Sequence, residues 1–596
     1  MKPGRALNFV LPVLLLLSSM ANAGNEEPLV GKPVIDDVFV KQNYEHRSWY
    51  PPGEIPFDPI EVGENLPMPT KMARAKILGL SHDDAVRSLA VKLWMIDNAR
   101  YTIDMVYYIF ERDTVGYAVL GSLCDAIKRG VDVRLMIDSL GSIHMTRKEL
   151  HALQSCESEA GFILDRNGRP TQIRARVQVV IVNALSKVFV HINRRAHDKL
   201  IVVDGHDRER AILMTGGRNI SSSYYGFLDD GTVDPTTFQD MELLLRPVEG
   251  ASDGVSSIGD ISTYYFTLLF LNEENKFLRI GSSEKRDAKE LAKARASLTM
   301  VRNLPIMKAQ LEEIPEYVAS GYHVSKVRLA HELGNLDNKN VIRKADANIG
   351  NNVNSIQTIL LQHGSTPMPK KLRIVSPYFF VSHYSTEDGN GSFDSEENIL
   401  KMLRENPDCT IELITNSVMT AENLPVQAVV DMDTAPRLLL SPEKMAEWRS
   451  IDPRKERSST LVNSEEWSRM IYQGRLRIYQ TGKLDATEFG GDRKYGKLHG
   501  KFLIADDFSF IGTNNYDHRS RLYNNEFGYF IESDEINSEL NAEFEKLKEK
   551  SYLWGSPEWL EMRERLMEDR RKKSRSIRMQ RTMFKVSRRL GLIWLY

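Results

Sequence analysis

The sequence predicts an α/β protein built from two pseudo-symmetric lobes, each a mixed, mostly parallel sheet flanked by helices, which face a common cleft. The first observation is the spacing His-x-Lys-x-x-x-x-Asp, which begins at His197 and returns at His499. The second is a strand–helix–strand pattern, which is typical of a right-handed βαβ unit and therefore of parallel strands. This pattern also occurs twice, at 101–110, 115–128 and 131–138 and again at 371–377, 396–404 and 410–416.

The 596 residues are enough for two large domains, and shifts in composition divide the chain further. A short basic region precedes an apolar run at 6–20 and a small-x-small site at 21–23, which is typical of a secretory signal peptide. An uncleaved anchor is the alternative, and either way we expect the bulk of the chain outside the cytoplasm. The predicted order is a signal peptide at 1–23, a Pro-rich N-terminal arm at 24–70, a first lobe at 71–275, a helical connector at 276–350, a second lobe at 351–548 and a basic C-terminal tail at 549–596.

Composition indicates a soluble globular protein without a disulfide scaffold. Hydrophobic residues make up 42% of the chain and charged residues 27%, and the net charge of −2 argues against a general polyanion binder. The three cysteines, Cys124, Cys156 and Cys409, show no metal-ligand spacing and no close pair in the sequence. An odd number excludes complete intramolecular pairing, so we interpret them as buried or unreactive thiols.

Each copy of the repeated spacing provides an imidazole and an ammonium group side by side. The residues after the lysine are apolar in both copies, at 200–203 and 502–505, which predicts a buried strand. Because a strand alternates its faces, His and Lys two residues apart point the same way. Lys provides a point charge for phosphoryl oxygens, and His can attack or donate a proton near neutral pH. The two copies therefore predict a site for phosphate chemistry.

The C-terminus predicts contact with an anionic surface. Residues 570–589 contain ten basic and no acidic residues, and apolar or aromatic residues lie among them and at 590–596. This mixture suits an anionic lipid surface. A solvated tail and a contact with nucleic acid are the alternatives.

These motifs resemble the phospholipase D superfamily, whose hallmark is the duplicated motif, and within it the bacterial cardiolipin synthases of the phospholipase D type. The resemblance extends over 80–550 and implies two phospholipase D-like lobes that share one active site. An insert at 205–210, which the second copy lacks, departs from the pattern. The segments that carry the resemblance are Asp104 to Asp138 with Tyr108, Asp113, Gly116, Arg129-Gly130-Val131 and Arg134; Asn193-Arg194-Arg195 and Gly217-Arg218-Asn219 around the first motif; Ser376-Pro377-Tyr378-Phe379 and Thr415-Asn416-Ser417; and Asp517-His518-Arg519-Ser520 with Asn524 and Glu526.

The resemblance implies a two-step phosphoryl transfer through a phosphohistidine, with net retention at phosphorus. We assign His197 as the nucleophile and His499 as the general acid and base, although both copies are complete and the sequence does not fix which is which. Lys199 and Lys501 are expected to hold the non-bridging oxygens of the phosphate. No metal or other cofactor is expected, because the two lysines already supply positive charge.

Further residues are expected to support this chemistry. The family places a carboxylate behind each His to fix its tautomer, and Asp240 and Glu526 are our candidates, with Glu242 a weaker one. Asp204 and Asp506 complete the two catalytic motifs, and we expect them to brace the motif loops through hydrogen bonds. Additional donors to the phosphate oxygens are two amides, Asn219 and Asn515.

The preferred function is phosphatidyl transfer between phospholipids, giving cardiolipin, in an exported protein that is periplasmic or membrane-associated in a bacterium. The expected partners are a phospholipid substrate and a membrane surface bound through the basic tail. Hydrolysis of phospholipids to phosphatidic acid is one alternative, and a nuclease of the same superfamily is another. Nucleic acid is not the expected substrate, because both lobes are rich in Asp and Glu. The oligomeric state stays open.

Overall fold

A computed structural model gives the fold of most of the chain. The predicted signal peptide at 1–23 and the first part of the predicted arm lie outside the described residues. The residues that the structure describes are 35–145, 147–183, 194–228, 230–249, 256–279, 283–336, 352–363, 369–381, 383–385, 392–483, 496–568 and 572–595.

Strands and helices alternate along these ranges. In chain order the strands are β1 (Lys71–Leu78), β2 (Thr102–Tyr107), β3 (Asp132–Asp138), β4 (Phe162–Leu164), β5 (Pro170–Arg174), β6 (Val177–Val182), β7 (Lys199–Val203), β8 (Ile212–Gly216), β9 (Glu242–Pro247), β10 (Lys276–Phe277), β11 (His323–His331), β12 (Lys371–Val375), β13 (His383–Ser385), β14 (Ser392–Asp394), β15 (Thr410–Asn416), β16 (Leu476–Thr481), β17 (Phe502–Ile504), β18 (Ser509–Gly512), β19 (Phe527–Glu532) and β20 (Ser551–Leu553). The α-helices are α1 (Val38–Asn43), α2 (Pro59–Asn65), α3 (His82–Asn98), α4 (Thr114–Lys128), α5 (Arg147–Ser155), α6 (Ile258–Phe270), α7 (Glu284–Asn303), α8 (Pro305–Ala319), α9 (Ile356–His363), α10 (Ser395–Glu405), α11 (Leu424–Val429), α12 (Ala435–Leu439), α13 (Pro442–Ser450), α14 (Glu465–Gln473), α15 (His518–Leu522), α16 (Asp534–Glu549), α17 (Pro557–Glu568) and α18 (Lys572–Arg589).

Sixteen strands form one continuous sheet in the order β10-β6-β3-β2-β7-β8-β9-β1-β11-β19-β18-β17-β12-β15-β16-β20. The predicted α/β class is confirmed, but the expectation of mostly parallel strands is wrong. Within the described strands of this sheet, only β2–β3, β3–β6, β12–β15 and β15–β16 pair in parallel. These pairs belong to the predicted βαβ units, whereas short returns such as the one from β7 to β8 force antiparallel pairing.

The strand order repeats about the centre of the sheet, where β1 and β11 pair antiparallel. Outward from this pair the sheet continues as β9-β8-β7-β2-β3-β6 on one side and as β19-β18-β17-β12-β15-β16 on the other. The two motif strands, β7 and β17, therefore occupy matching positions. The central strand β11 lies inside the predicted helical connector at 276–350, which contains α7 and α8 but is not helical throughout.

Apolar residues cover both faces of the sheet and so hold the two motif strands rigidly. Along β2, Ile103 and Met105 face one core and Val106 faces another, as the alternation of a strand requires. The core on the Val106 side also contains Leu200 of β7 and Phe502 of β17, so it extends under both motif strands. Burial on both faces fixes the register of these strands.

The Pro-rich segment at 24–70 is not simply an extended arm, because its described part forms α1 and α2 and packs on the sheet. Arg47 is 1% exposed, and its Nη1 donates to Oδ2 of Asp104 at 2.8 Å while its Nε donates to Oδ2 of Asp132 at 3.3 Å. Both carboxylates lie on the parallel strands β2 and β3. A buried guanidinium with two carboxylate partners ties the segment to the first half of the sheet.

The C-terminal tail also packs on the protein, as α17 and α18. Ile577 and Phe584 of α18 are buried in the core of the second half, so these apolar groups do not face solvent. Arg563 of α17 donates to Asp431 at 3.3 Å and, from Nε, to Glu456 at 2.7 Å. This buried network anchors both helices to the second half of the sheet.

A disulfide joins Cys124 in α4 to Cys156, which follows α5. The interpretation of these two cysteines as free thiols is therefore wrong, whereas Cys409 is free and buried. Their separation of 32 residues gave no signal in the sequence, because only the packing of α4 against the segment after α5 brings their Cα atoms to 5.6 Å. In the part of the chain that the structure describes, no helix is both long enough and apolar enough to cross a bilayer.

Candidate active site

The two motif histidines lie just before β7 and β17, and each is held by a loop from the opposite half of the sheet. The backbone N–H of His197 donates to the carbonyl of Asn525 at 2.9 Å, and that of His499 donates to the carbonyl of Gln239 at 2.8 Å. Parallel bridges pair Ala196 with Asn525, and Gln239 with Leu498. Because the loops cross over, each histidine meets a carboxylate that belongs to the other half.

The first histidine is paired with Glu526. Nδ1 of His197 lies 3.0 Å from Oε2 of Glu526, and the hydroxyl of Thr513 donates to the same oxygen at 2.7 Å. Burial, together with the charges of Lys199 and Lys501, holds the pKa of His197 well below its usual value. Burial also raises the pKa of Glu526 to about 7. The neutral imidazole can therefore donate from Nδ1 to the carboxylate and keep the lone pair of Nε2 for chemistry.

The second histidine is paired with Asp240. Nδ1 of His499 lies 2.6 Å from Oδ2 of Asp240, which is fully buried. Burial and the charge of Lys501 lower the pKa of His499 to about 3. Burial alone would raise the pKa of Asp240, but the adjacent His499 and Lys501 lower it to about 2. Asp240 is therefore the more firmly ionised of the two partner carboxylates.

The two lysines place concentrated positive charge at the same location. Nζ of Lys199 donates to the carbonyl of His197 at 2.7 Å, and Nζ of Lys501 donates to the carbonyl of His499 at 2.5 Å. Burial and the charge of Lys501 lower the pKa of Lys199 to about 7, and burial lowers that of Lys501 to about 8. Burial disfavours the charged form of both lysines, and a bound phosphate anion would favour it again, so the two side chains suit a phosphate site.

The motif aspartates lie at the other end of the motif strands, away from the histidines. Asp204 accepts backbone hydrogen bonds from Tyr101 at 2.7 Å and Thr102 at 3.0 Å, at the start of β2. Asp506 accepts from the backbone of Lys370 at 2.6 Å and Lys371 at 3.1 Å, at the start of β12. Both aspartates therefore brace a neighbouring strand, and they are not part of the group that contains the histidines.

The two amides differ in their availability. Oδ1 of Asn219 accepts from the N–H of Ile109 at 3.1 Å, and its Nδ2 donates to the hydroxyl of Tyr224 at 2.9 Å, so both ends are engaged. Oδ1 of Asn515 is buried and has no hydrogen-bond partner among the described residues. The two amides therefore differ in their contacts, and the donation to phosphate oxygens expected of both stays a prediction.

Glu242, the weaker candidate for a partner carboxylate, does not lie behind a histidine. It is 2% exposed and accepts from Nζ of Lys92 at 2.5 Å and from Nη1 of Arg218 at 3.2 Å. These two cations neutralise it within the core of the first half. Glu242 therefore stabilises the strand that follows Asp240.

The structure adds residues that the sequence did not single out for the site. The ring of Tyr108 packs edge-on against His197 with centroids 4.7 Å apart, and Arg519 forms a hydrogen bond to this tyrosine. Tyr224 and Phe238 pack against His499, with centroid distances of 5.2 and 5.3 Å. Tyr108 and Arg519 belong to the segments that resemble the family, and this resemblance is the only feature of the sequence that points to them. The aromatic walls limit the access of water to both imidazoles.

The fold and this paired arrangement define a phospholipase D-like protein. The sequence model of the family described as "Cardiolipin synthase, PLD-like domain" matches residues 93–227 and 369–548, and the chain belongs to this family. The resemblance inferred from the motifs is confirmed.

Individual relatives agree with this family. The chain is similar to cardiolipin synthase C of Escherichia coli strain K12, with 24% identity over 480 residues that cover 78% of this chain and 83% of the relative. It is also similar to the major cardiolipin synthase ClsA of Bacillus subtilis strain 168, with 29% identity over 131 residues that cover 22% and 23% of the two chains. A crystal structure of phosphatidylserine synthase from Haemophilus influenzae Rd KW20 superposes with a TM-score of 0.52 at 13% identity, covering 89% of this chain and 97% of that one, and so shares the fold.

Proposed function

We propose that the protein is a phosphatidyltransferase of the phospholipase D type, similar to cardiolipin synthases, which moves a phosphatidyl group from one phospholipid to an alcohol of another. The observation that carries this proposal is the crossed pair of contacts, His197 with Glu526 and His499 with Asp240. Two imidazoles, each oriented by a carboxylate, lie beside two lysines. A two-step displacement at a phosphodiester needs these groups: a nucleophile, a general acid and base, and positive charge beside the phosphate oxygens.

In the proposed first step, Nε2 of His197 attacks phosphorus and the P–O bond to the leaving alcohol breaks. The departing oxygen takes a proton from His499, and a phosphatidyl–His197 intermediate remains. In the second step, His499 removes the proton from the acceptor hydroxyl, whose oxygen attacks phosphorus while the P–N bond breaks. Lys199 and Lys501 stabilise the charge on the non-bridging oxygens in both steps.

The difference between the two carboxylates supports this assignment of roles. A general acid must carry a proton, and the firmly ionised Asp240 stabilises an imidazolium at His499. A bound phosphodiester adds negative charge beside both lysines, which raises the pKa of His499 from about 3 towards the working range. The nucleophile must be neutral, which the low pKa of His197 favours.

Restricted access of water supports transfer over hydrolysis. His197 is 7% exposed, and aromatic rings pack against both imidazoles. An alcohol that is held in such a site competes with dilute water for the intermediate. A nuclease remains the second candidate because the same chemistry cleaves any phosphodiester, but the net charge of −2 gives no general attraction for a polyanion.

The test is the lipid product of the purified full-length protein on vesicles that contain phosphatidylglycerol, analysed by thin-layer chromatography and mass spectrometry. We expect cardiolipin from the wild type and none from His197→Ala. His206→Ala is a matched control, because His206 also pairs with a carboxylate, Asp260, at 2.8 Å but lies outside the motifs. Phosphatidic acid without cardiolipin would show a hydrolase, and cleaved plasmid with unchanged lipid would show a nuclease.

We also propose that the protein is exported and that α18 faces the membrane. The disulfide between Cys124 and Cys156 supports export, because disulfides form and persist in oxidising compartments. The outer face of α18 carries Lys585, Arg588 and Arg589, which are exposed and have no ion-pair partner among the described residues. Exposed apolar side chains accompany them, namely Met579 and Val586 on the same helix and Leu590 directly after it.

Binding to sedimented vesicles tests the membrane contact. The triple variant Lys585→Gln, Arg588→Gln and Arg589→Gln is expected to bind anionic vesicles about 10²-fold more weakly, at roughly 1 kcal/mol for each basic residue. Neutral phosphatidylcholine vesicles should not distinguish it from the wild type. The control replaces three exposed basic residues of α7, namely Lys285, Lys289 and Arg295. Equal loss in both triple variants would show general attraction instead of a docking face.

A further inference from the structure

Asp198, which stands between His197 and Lys199, is a buried carboxylate that the proposed chemistry does not use. Because a strand alternates its faces, its side chain points away from those of its two neighbours. It is 0% exposed and contacts Tyr265 of α6 and Asn525 from the second half. A buried carboxylate needs such partners, since its desolvation is costly.

The donor and the acceptor of each hydrogen bond within this group can be assigned in one consistent way. Nδ2 of Asn525 donates to Oδ2 of Asp198 at 2.8 Å and to the hydroxyl of Tyr265 at 2.7 Å. The tyrosine hydroxyl, having accepted from the amide, donates its own proton to Oδ1 of Asp198. Both carboxylate oxygens thus accept a hydrogen bond, and both protons of the amide are used. The three side chains form a closed ring of donors and acceptors.

This ring fixes the loop that carries the partner carboxylate of His197. The backbone N–H of Asn525 donates to the carbonyl of Arg195 at 2.8 Å, and its own carbonyl accepts from the N–H of His197. Its side chain holds Asp198, so Asn525 is attached to the first motif on three sides. The next residue is Glu526, whose carboxylate meets Nδ1 of His197 at 3.0 Å.

The second motif has the backbone contacts without the ring. Gly500 occupies the position of Asp198, and its N–H donates to the carbonyl of Gln239 at 3.0 Å. A Cβ at Gly500 would lie 3.1 Å from Cδ2 of Leu80, so the side chain of Leu80 takes the space that the carboxylate ring fills in the first copy. The extra hydrogen bonds therefore serve only one of the two histidines.

We propose that Asp198, Tyr265 and Asn525 are positioning residues that hold Glu526 against His197 and so keep its Nε2 aimed at phosphorus. The proposal rests on the proposed function, in which His197 forms the covalent intermediate. The three residues touch neither substrate nor phosphorus. They act through the backbone of Asn525 on the geometry of the His197–Glu526 pair.

The test compares Asp198→Asn, Asp198→Ala and Tyr265→Phe with Tyr529→Phe as a matched control. Tyr529 is equally buried, and its hydroxyl bonds Ser262 of the same helix α6 at 2.6 Å, but it does not reach the motif. We expect Tyr265→Phe and Asp198→Ala to lower kcat by about 10- to 100-fold, by analogy with the loss of hydrogen-bond partners behind metal-ligating histidines. KM should stay near the wild-type value, and Asp198→Asn should recover part of the loss.

Quenched-flow measurement of the phosphohistidine separates positioning from mere stability. In the Tyr265→Phe protein, formation of the phosphohistidine should slow by the same factor as kcat. The Tyr529→Phe change should lower the melting temperature but leave the rate of phosphohistidine formation unchanged. A Tyr265→Phe protein that loses stability like the control but keeps the wild-type rate of intermediate formation would overturn the proposal. A wild-type protein without activity on any phosphodiester would instead overturn the proposed function.

Discussion

The two motif copies share their backbone geometry but differ in the groups that support each histidine. In both copies a residue of the opposite half accepts the histidine N–H, and the next residue supplies the carboxylate. In both, the motif aspartate braces the first strand of its own βαβ unit. The duplicated spacing therefore preserves a scaffold in which neither half can assemble a histidine–carboxylate pair without the other.

The side chains break this symmetry. The first copy has Glu526, with a pKa raised by burial to about 7, and the Asp198 ring; the second has Asp240, with a pKa of about 2, and Gly500. One histidine is thus held with the Asp198 ring beside a weakly ionised partner, and the other is held without that ring beside a strongly ionised one. The difference suits a nucleophile that must stay aimed and a proton carrier that must gain and lose charge.

Replacement of either histidine should have the largest effect. We expect both His197→Ala and His499→Ala to lower kcat by about 10⁴-fold or more, because the loss of one member of a catalytic unit removes most of the rate enhancement of the whole unit. A phosphodiester with an activated leaving group should separate them, since such a group departs without a proton. On that substrate His499→Ala should still form the phosphohistidine, whereas His197→Ala should not, as mass spectrometry of the quenched protein would show.

The reverse outcome would exchange the roles. If His197→Ala traps a phosphate on His499, the nucleophile is the second histidine. Asp240 would then support the nucleophile, and Glu526 would support the general acid and base. The control His206→Ala should behave like the wild type with both substrates.

Neutralising the partner carboxylates should have the next largest effect, with different pH dependence. We expect Asp240→Asn and Glu526→Gln each to lower kcat by about 10²- to 10⁴-fold, in the range of general acid–base catalysis. Glu526, with its pKa of about 7, gains a proton as the pH falls, so wild-type activity should decline below neutrality. It should also decline above neutrality as Lys199, with a pKa of about 7, and then Lys501, with a pKa of about 8, lose their protons.

The acid limb of kcat/KM distinguishes the two copies. Glu526→Gln should abolish this limb, because the titrating group is gone, while Asp240→Asn should retain it, because Asp240 is ionised throughout the measured range. An acid limb that persists in Glu526→Gln would assign it to another group.

The sequence predicted the site better than it predicted the sheet. The repeated spacing predicts buried strands directly after His197 and His499, as the structure has them, and the two candidate carboxylates, Glu526 and Asp240, contact these histidines, while the catalytic roles stay predictions. Periodicity identified the βαβ units but could not show that the remaining strands return as hairpins, because strand direction depends on connections that no local pattern encodes. For the same reason β11 was missed among the helices of the connector.

Other features were hidden because they depend on contacts between distant segments. Asp198 occupies a position that the repeated spacing leaves unspecified, and only the fold brings Tyr265 and Asn525 to it. Arg47 stood in a segment that proline content marked as extended, although its partners Asp104 and Asp132 lie on the sheet. Side chains that are satisfied by remote partners leave no periodic signal.

The disulfide makes the first half of the sheet respond to reduction, whereas Cys409 of the second half is free. Replacing Cys124 and Cys156 with Ser should lower the free energy of unfolding by about 3–4 kcal/mol, as expected from the entropy of a loop of this length. Reductant should lower the melting temperature of the wild type by the same mechanism and leave the double variant unchanged. A reductant effect that persists in the double variant would place its cause elsewhere.

The motif aspartates should show the smallest difference between the copies. Asp204, which is buried and has a left-handed backbone with φ of 51°, accepts three backbone N–H groups, whereas the exposed Asp506 accepts two. Asp204→Ala leaves buried donors unsatisfied and should lower the free energy of unfolding by about 1–3 kcal/mol, while Asp506→Ala should cost about 1 kcal/mol, because water can replace the lost acceptor. Urea unfolding measures both. Since neither aspartate lies beside a histidine, kcat at a temperature where both variants are folded should match that of the wild type. A loss of kcat in a variant that is still folded would show that the replaced aspartate takes part in catalysis.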